Sequence, residues 1–407
     1  SELFGEDEKC SEDCRTAEAY RETQALFKLT AGGEQSDVLT APNGRCFRPG
    51  RFESPSLAEL RERLARLEIL PGDGEASLQV DNVFGNVRDL HVAPKAEGAV
   101  FQVASQFNCL EFIGAEVTPE YGVSRYLFDK TQGPACALAC AASTVWRNYF
   151  MPVNLDGDLA KRGQTAECQL NCLRDVQTLI GDDLLRVCNG YTSSRSVEEL
   201  SAKVESMSAE ERDALRAALS IGVQWDAEVT DSRVEHRKNP DTNKWEKVCT
   251  DCSPVTQVFC SALSLSFKEA PLWQPLAQLI LEAAYEATLA VAACNLQRRG
   301  SRDVYLTLLG GANFHNDHKW IEQAIRRALG IYRTIPLHVH IVHFSAADPA
   351  YAAYAGLCAE WQPTSSESSE GKGKGKGKGK GPPAALVKGK GPPPPKGRGK
   401  GSGEGYN

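Results

Sequence analysis

The sequence predicts an α/β fold in which a mixed, largely parallel sheet is flanked by helices on both faces. Between Val255 and Phe344, apolar strand-like runs alternate with amphipathic helical runs in the order strand, helix, strand, helix, strand. Strands such as VYLTLLG are apolar at nearly every position, which is typical of strands covered on both faces. Two upstream runs, LQVDNVF and AVFQVASQF, are predicted to add strands to the same sheet.

Residues 1–75 are predicted to form a peripheral helical extension at the N-terminus. A helix is expected to begin after Ser54-Pro55-Ser56, because leucines recur there at helical spacing and arginines and glutamates fill the opposite face. This pattern is typical of a surface helix that docks on a larger body. The leucines are Leu57, Leu60, Leu64 and Leu67.

Residues 76–361 are predicted to form the α/β domain, with residues 151–250 as an elaboration on it. The segment GPACALACAASTVWRNYF, residues 133–150, is apolar nearly all round and rich in small residues. It predicts a buried helix packed closely against its neighbours. Within the elaboration we expect a helix near Val197–Ala218 and a hairpin around Asn239-Pro240-Asp241.

Residues 362–407 are predicted to form a disordered, Gly/Lys/Pro-rich basic tail, because such a composition buries too little apolar surface to offset the entropy of ordering. Residues 371–407 contain nine Lys, one Arg and one Glu. This segment carries +9 while the whole chain carries −7, so the preceding residues carry −16. The acidic body argues against a broad nucleic-acid surface, and we expect the tail alone to engage RNA or acidic partners nonspecifically.

Cysteine usage favours a reduced, intracellular protein, either cytoplasmic or nuclear. The chain has 14 cysteines, but Cys136, Cys140 and Cys294 lie in alanine-rich apolar helical patterns, where a free cysteine behaves as a small buried hydrophobe. The first residues are acidic and polar, unlike a targeting segment. No run of about 18 apolar residues is evident, so no membrane span is predicted.

One candidate phosphate-binding loop precedes the buried helix of residues 133–150. It consists of Gln132, Gly133, Pro134 and Ala135, directly after Thr131. Free N–H groups at the start of a helix, together with the positive end of its dipole, form an anion site. An ordinary capped, buried helix is the alternative interpretation.

A second candidate loop lies between the apolar strand VYLTLLG and the following helix. Paired glycines allow the backbone to approach a ligand and to adopt positive φ. Asn316 or Asp317 can cap the helix that begins near His318. A plain strand-to-helix turn would also accommodate two glycines. The candidate ligand-binding residues of this loop are Gly310, Gly311, Ala312, Asn313, Phe314, His315 and Asn316.

The run LTLLGGANFHNDHKWIEQAIRRAL resembles the second phosphate-binding loop of macrodomains, specifically the bacterial-type poly(ADP-ribose) glycohydrolase branch. VTQVFCSAL with its long helix resembles the elements that precede that loop, and TQGPACALACA resembles the first glycine-rich loop. The strand VFQVASQFN, ending at Asn108, resembles the strand whose terminal asparagine meets the distal ribose. The resemblance covers residues 100–150 and 255–344.

The resemblance implies binding of ADP-ribose or of an ADP-ribosyl group on a protein, with Asn108 at the distal ribose. Glu111, three residues after Asn108, is the nearest carboxylate that could act as a base there, so Asn108 and Glu111 are the candidate catalytic residues; a solvated or capping glutamate is the alternative interpretation. The glycine-rich run of the first loop is reduced here to Gly133, and residues 142–144 (Ala-Ser-Thr) occupy the region where the family has paired glutamates. His315 replaces a small residue of the second loop. A hydrolase of ADP-ribosyl linkages and a non-catalytic ADP-ribose reader both remain open.

Two further interpretations come from outside that family. One is an interaction protein that uses its basic tail, and the other is a nucleotide-binding enzyme of an unrelated α/β family. We assign no cofactor and no metal site. Cys249 and Cys252 have zinc-knuckle spacing without a second matching pair, and His338 and His340 share one face of a strand with no carboxylate in sequence register.

Overall fold

The computed structural model describes residues 16–32, 36–67, 78–153, 162–238, 245–344 and 351–361. All of these belong to one compact unit, Ser1–Pro363. The second unit, Thr364–Asn407, and with it nearly all of the tail predicted from residue 362 onward, lies outside the described residues.

In chain order the strands are β1 (Lys28–Thr30), β2 (Val38–Thr40), β3 (Cys46–Phe47), β4 (Arg51–Glu53), β5 (Gln79–Phe84), β6 (Val100–Ala104), β7 (Arg186–Cys188), β8 (Tyr191–Ser193), β9 (Gly222–Ala227), β10 (Arg233–Lys238), β11 (Trp245–Thr250), β12 (Val255–Cys260), β13 (Asp303–Leu306) and β14 (His338–His343).

The helices differ widely in length, and short 3₁₀ turns connect some of them at Pro94–Ala96, Pro119–Tyr121 and Val123–Phe128. The α-helices are α1 (Ala17–Ala25), α2 (Leu57–Arg66), α3 (Val87–His91), α4 (Gln132–Ala139), α5 (Ala141–Tyr149), α6 (Arg174–Ile180), α7 (Val197–Glu205), α8 (Ala209–Ala218), α9 (Ala270–Arg299), α10 (His318–Ile331) and α11 (Tyr351–Glu360).

The central sheet has seven strands in the order β4, β9, β12, β6, β13, β14, β5. The five strands from β12 to β5 are parallel, and β9 and β4 extend one edge in antiparallel pairing. Adjacent residues of a strand point to opposite faces. On β6, Phe101 stacks on His91 of α3, whereas Gln102 donates to Thr288 on α9. Helices therefore cover both faces, and the predicted α/β fold with a largely parallel sheet is confirmed.

Helix α9 is the long core helix of the domain. One 18-residue window of it has a mean hydropathy of 1.4, so by length and composition alone it would be long and apolar enough to cross a membrane. The helix itself was predicted from the sequence, but no membrane-length apolar window was noted in it. Within the protein, 89% of that window is buried, as in the core helix of a folded domain.

The N-terminal region differs from the helical extension expected for it. It contains three short strands that form a small sheet, β1 to β3, and β4 joins the edge of the central sheet through the pair Phe52 and Gln224. The predicted helix is present as α2, where Ser56 and Glu59 form a capping box. Leu57 and Leu60 are fully buried in the main core, so α2 is part of the domain rather than a surface addition.

Two further segments are more divided than the sequence pattern indicates. The buried helix predicted at residues 133–150 is two helices, α4 and α5, that break at Cys140, where φ is −117° and ψ is 62°. The helix expected near Val197–Ala218 is likewise the pair α7 and α8. The predicted hairpin is formed by β10 and β11, whose connecting residues 239–244 lie outside the described part of the chain.

Candidate active site

A cavity of about 420 Å³ opens at the carboxyl ends of the parallel strands. Its lining includes Ala104 at the end of β6, Cys260 at the end of β12, Thr307 just after β13 and Val342 near the end of β14. Open α/β sheets place their ligands at this edge, because the loops that leave parallel strands converge there. The volume lies within the range of small-molecule sites, about 300–1,000 Å³.

The first candidate loop forms one wall of the cavity. Gln132, Gly133 and Pro134 line it, whereas Ala135 does not. A Cβ on Gly133 would lie 2.1 Å from the carbonyl oxygen of Ala104, so glycine is required for α4 to begin directly against the end of β6. Among the described residues, no side chain caps the first turn of α4, so the backbone N–H groups of Gln132 and Gly133 have no side-chain partner at the cavity edge.

The second candidate loop forms the opposite wall through Gly310, Gly311, Ala312, Asn313 and Phe314. Gly310 has a φ of +71°, and a Cβ there would lie 2.5 Å from the Asn316 amide nitrogen. That amide donates to the carbonyl oxygens of Leu263 at 2.9 Å and Phe314 at 3.0 Å.

His315 and Asn316 do not line the cavity. His315 adopts a left-handed φ of 54° that turns the chain, and Asn316 closes the loop from behind. Asp317 caps α10 by accepting from the Lys319 N–H at 2.8 Å. His315, Asn316 and Asp317 therefore fix the shape of the loop, and the five residues from Gly310 to Phe314 form its cavity-facing side.

Glu111 is the buried carboxyl group of the cavity. It is 2% exposed and lines the cavity, and neither carboxylate oxygen has a hydrogen-bond partner among the described residues. Burial raises its pKa from 4.5 to about 8, a shift that the positive charge of Arg147 and the nearby Tyr126 hydroxyl partly oppose. At neutral pH the group is therefore mostly protonated, and a protonated carboxyl can donate a proton.

A network of backbone contacts holds the loop that carries Glu111. The Gln106 side chain donates to the Phe112 carbonyl at 3.0 Å and accepts from the Phe112 N–H at 2.9 Å, which closes residues 106–112 into a ring. The Tyr126 hydroxyl accepts from the Glu111 N–H at 2.8 Å. Cys109, with a φ of 60°, turns the chain inside this ring.

Asn108 lies behind this loop and does not line the cavity. Its side-chain amide donates to Gln169 at 2.8 Å, and its side-chain oxygen accepts from the Leu110 N–H at 3.1 Å. Both polar atoms of the Asn108 side chain are thus bonded within the protein. Gln106, two residues earlier, lines the cavity instead.

Residues 162–193 of the predicted elaboration support the same loop. Gln164 donates to the Asn108 carbonyl at 3.1 Å, and Tyr191 donates to the Phe112 carbonyl at 2.6 Å while lining the cavity. Tyr191 also meets Phe314 of the opposite wall edge-on, with ring centroids 5.5 Å apart. This region therefore connects the Glu111 loop with the second candidate loop.

Arg147 on α5 is a fully buried cation behind Glu111. Its guanidinium donates to the Cys109 carbonyl and to the Thr144 hydroxyl, both at 3.1 Å, and lies 3.7 Å from the centre of the Phe259 ring. Ser143 and Thr144 are also buried and bond to backbone carbonyls. Residues 142–144, where the resemblance would place paired glutamates, are therefore part of the packed interior. None of them lines the cavity.

Other polar groups of the cavity escaped the sequence analysis. Buried side-chain atoms of Thr307 and His318 face no partner in the described residues, and both residues line the cavity. Asp129 and Lys130 add one charge of each sign. Thr307 directly follows a strand, so the rule that ligands bind at the carboxyl ends of parallel strands was a usable signal for it, whereas Asp129 and Lys130 lie in a loop with no such signal.

No family model matches the chain. No curated protein matches it. The fold resembles that of bacterial poly(ADP-ribose) glycohydrolases.

The Deinococcus radiodurans glycohydrolase, solved in complex with ADP-ribose, is 12% identical over 75% of this chain and 92% of its own, with a TM-score of 0.38. The Thermomonospora curvata glycohydrolase, solved with the inhibitor ADP-HPD, is 13% identical over 79% of this chain and 93% of its own, with a TM-score of 0.32. At this level the likeness concerns the fold, and residue roles follow from the contacts described above.

Proposed function

We propose that this protein binds ADP-ribose, or an ADP-ribosyl group on a protein, and hydrolyses the ADP-ribosyl linkage with Glu111 as the acid–base group. The observation that carries the proposal is the Glu111 carboxyl, which is buried, raised in pKa and, within the described part of the chain, without a hydrogen-bond partner for either oxygen in the wall of a ligand-sized cavity. Strongly perturbed groups in clefts are typical of active sites.

The two loops that face each other across the cavity favour a diphosphate. The uncapped first turn of α4 and the Gly310–Asn313 turn both offer backbone N–H groups, and a helix start adds a partial positive charge. Lys130 is the cation in the lining. The aromatic rings of Phe112, Tyr191 and Phe314 provide an apolar surface for a nucleobase.

The raised pKa makes Glu111 an acid in the first step rather than the base that its position alone would suggest. The protonated carboxyl donates its proton to the leaving atom as the bond from that atom to the anomeric carbon of the distal ribose breaks. Water then adds to this carbon and returns a proton to the carboxylate, which restores the starting state. Arg147 stabilises the intermediate carboxylate through its charge. General acid–base catalysis of this kind contributes about 10²- to 10⁴-fold in rate.

Calorimetry with the full-length protein tests binding. We expect ADP-ribose to bind with a Kd of about 1 μM, near −8 kcal/mol. Gly311→Val should abolish binding, because a Cβ at Gly311 would lie 2.9 Å from the His318 ring and a larger side chain would fill the turn. Gly330→Val is the matched control, since the space around Gly330 is open. Absence of heat and of a thermal shift at millimolar ADP-ribose would refute the proposal.

Release of ADP-ribose from mono- and poly-ADP-ribosylated protein tests hydrolysis. Wild type is expected to release it from at least one of these substrates above the buffer rate. Binding without release from either substrate would identify the protein as an ADP-ribose reader.

The basic tail favours a second, independent property. Its ten separated cations are interspersed with glycine and proline, and Tyr406 is the single aromatic residue from residue 371 onward. We propose that it attaches to RNA or other polyanions through charge alone, because base stacking needs aromatics. Binding of RNA by the full-length protein should then fall steeply between about 50 and 200 mM salt. Sequence-selective binding that persists at high salt would contradict this.

A further inference from the structure

Four ionisable side chains meet at the end of the sheet opposite to the cavity. Asp81 on β5, Asp303 on β13, and His338 and His340 on β14 all lie near the amino ends of these neighbouring parallel strands. Val342, which lines the cavity, is four residues beyond His338 and two beyond His340 on β14, or roughly 13 Å and 7 Å along the strand at about 3.3 Å per residue. None of the four cluster residues is among those that line the cavity, so the cluster lies outside the candidate active site.

Strand register brings the four residues to one face. Asp303 is the register partner of His338, and His340 is the register partner of Asp81. His338 and His340 are two positions apart on β14, so their side chains point the same way. The aspartates approach from β13 and β5, on either side of the two histidines.

The geometry is that of a compact donor set. His338 Nε2 lies 2.5 Å from Asp81 Oδ2, His340 Nε2 lies 2.7 Å from Asp303 Oδ1, and the second ring nitrogen of His338 lies 3.6 Å from the same Asp303 oxygen. The ring centroids of the two histidines are 4.1 Å apart. One ligand atom each from Asp81, His338 and His340 lies within 4.8 Å of the others.

We propose that this cluster is a binding site for a divalent transition metal ion of the Zn²⁺ type. Two imidazoles and a carboxylate, from His338, His340 and Asp81, are a ligand set that Zn²⁺ accepts in tetrahedral geometry with a water as the fourth ligand, at about 2.0–2.2 Å from the metal and therefore about 3.3 Å from one another. Their ligand atoms lie within 4.8 Å of one another, so small side-chain movements would bring them to that spacing. Asp303, which is bonded to His340, would orient that histidine. A divalent cation would also neutralise the two carboxylates, which neutral imidazoles do not.

Accessibility fits the same interpretation. Three of the four side chains are partly exposed and give an ion a route from solvent: Asp81 is 45%, His338 32% and Asp303 26% exposed. The His340 side chain is 2% exposed and lies at the buried end of the site. The Nδ1 atom of His340 is buried without a partner among the described residues. The bound ion would join β5, at the edge of the sheet, to β14 and β13.

Without metal, the same residues form a hydrogen-bonded Asp–His network, so the test must separate the two states. Full-length protein is stripped with a chelator and titrated with Zn²⁺ alone, comparing wild type with His340→Gln and Asp81→Asn. The control is His343→Gln on the same strand, because His343 is also buried and bonds to Asn82 at 2.9 Å, outside the cluster. Every variant keeps all cysteines, so thiol binding cancels in the comparison.

Wild type and His343→Gln are expected to bind one more equivalent of Zn²⁺ than His340→Gln and Asp81→Asn. Asp303→Asn is expected to weaken that equivalent about 10- to 100-fold, as for residues that orient a metal-bound histidine. Zn²⁺ should raise the melting temperature only in the proteins that keep the extra equivalent. If His340→Gln fails to fold, Asp81→Asn carries the comparison because its side chain is the most exposed of the four. Equal stoichiometry and affinity in wild type and Asp81→Asn would overturn the proposal.

Discussion

Two buried glutamates in this protein have opposite surroundings. Glu111 and Glu286 are each 2% exposed. On α9, Glu286 is paired with Arg61 at 2.6 Å and with Arg327 at 2.5 Å, which ties α9 to α2 and α10. Glu111 has no partner among the described residues and borders the cavity. A buried charge is normally paired, so the paired carboxylate belongs to the scaffold and the unpaired carboxyl is available to a ligand.

Neutralising each glutamate in turn separates these two roles, and the largest effect is expected on catalysis. Glu111→Gln should lower the rate of ADP-ribose release about 10²- to 10⁴-fold, because the amide cannot exchange the proton. Glu286→Gln should leave the rate per folded molecule within about twofold. Rates are measured in single-turnover assays and corrected for the folded fraction. Equal activity in Glu111→Gln and wild type would remove Glu111 from the reaction.

The same two variants should rank in reverse order in stability. Glu286→Gln leaves two arginines facing a neutral amide and is expected to lower the free energy of unfolding by about 3 kcal/mol. Glu111→Gln removes a carboxyl that must stay protonated in the folded protein although it ionises when unfolded, so at pH 7 it should raise that free energy rather than lower it. Urea unfolding of both variants beside wild type gives the comparison. A large loss of stability in Glu111→Gln would mean that the carboxyl has a structural partner.

The pH dependence of stability distinguishes the two carboxyls further. The pKa of Glu111 is about 8 in the folded protein and near 4.5 when unfolded, so the folded state holds the extra proton between these values. Its contribution is fully present below pH 4.5 and is lost as pH rises through 8, with a slope of at most about 1.4 kcal/mol per pH unit. Urea unfolding of wild type and Glu111→Gln from pH 5 to 9 isolates this slope. If the free energy of unfolding changes with pH equally in wild type and Glu111→Gln, Glu111 is ionised in the folded protein.

Two buried threonines differ in the same way as the two glutamates, and replacing them is expected to have smaller effects on stability and binding. The Thr288 hydroxyl accepts from Gln102 at 2.8 Å and donates to the Ala284 carbonyl at 2.8 Å, whereas the Thr307 hydroxyl has no partner among the described residues. Thr288→Val should destabilise the protein by about 1–2 kcal/mol, because it leaves a buried amide unsatisfied. Thr307→Val should change stability by less than about 0.5 kcal/mol and weaken ADP-ribose binding. The reverse order of destabilisation would contradict the assignment of Thr307 to the ligand.

The sequence predicts the parts of this fold whose signals are local. The strand and helix series from β12 to β14 follows from apolar periodicity, and α2 follows from its capping box and leucine spacing. The antiparallel edge was not predicted, because β4 and β9 become strands by pairing with each other and with β12. The strand propensity of the three residues in β4 cannot reveal this pairing, because the partner strand is about 170 residues away in the sequence.

The site shows the same division. Gly133, Gly310 and Glu111 were identified from loops and strand ends, and all three line the cavity. Asn108 does not line the cavity, because its side chain bonds to Gln169 and to its own turn, contacts that strand position does not reveal. Asp81 was not linked to His338, because strand register across 257 positions of sequence brings them together.

A crystal structure of the full-length protein with ADP-ribose tests the assignment of the cavity and of Glu111 together. We expect the diphosphate between the start of α4 and the Gly310–Asn313 turn, and the distal ribose within about 3 Å of the Glu111 carboxyl, the reach needed for proton transfer. ADP-ribose bound elsewhere, or a distal ribose beyond hydrogen-bonding reach of Glu111, would contradict both the ligand site and the role of its unpaired carboxyl.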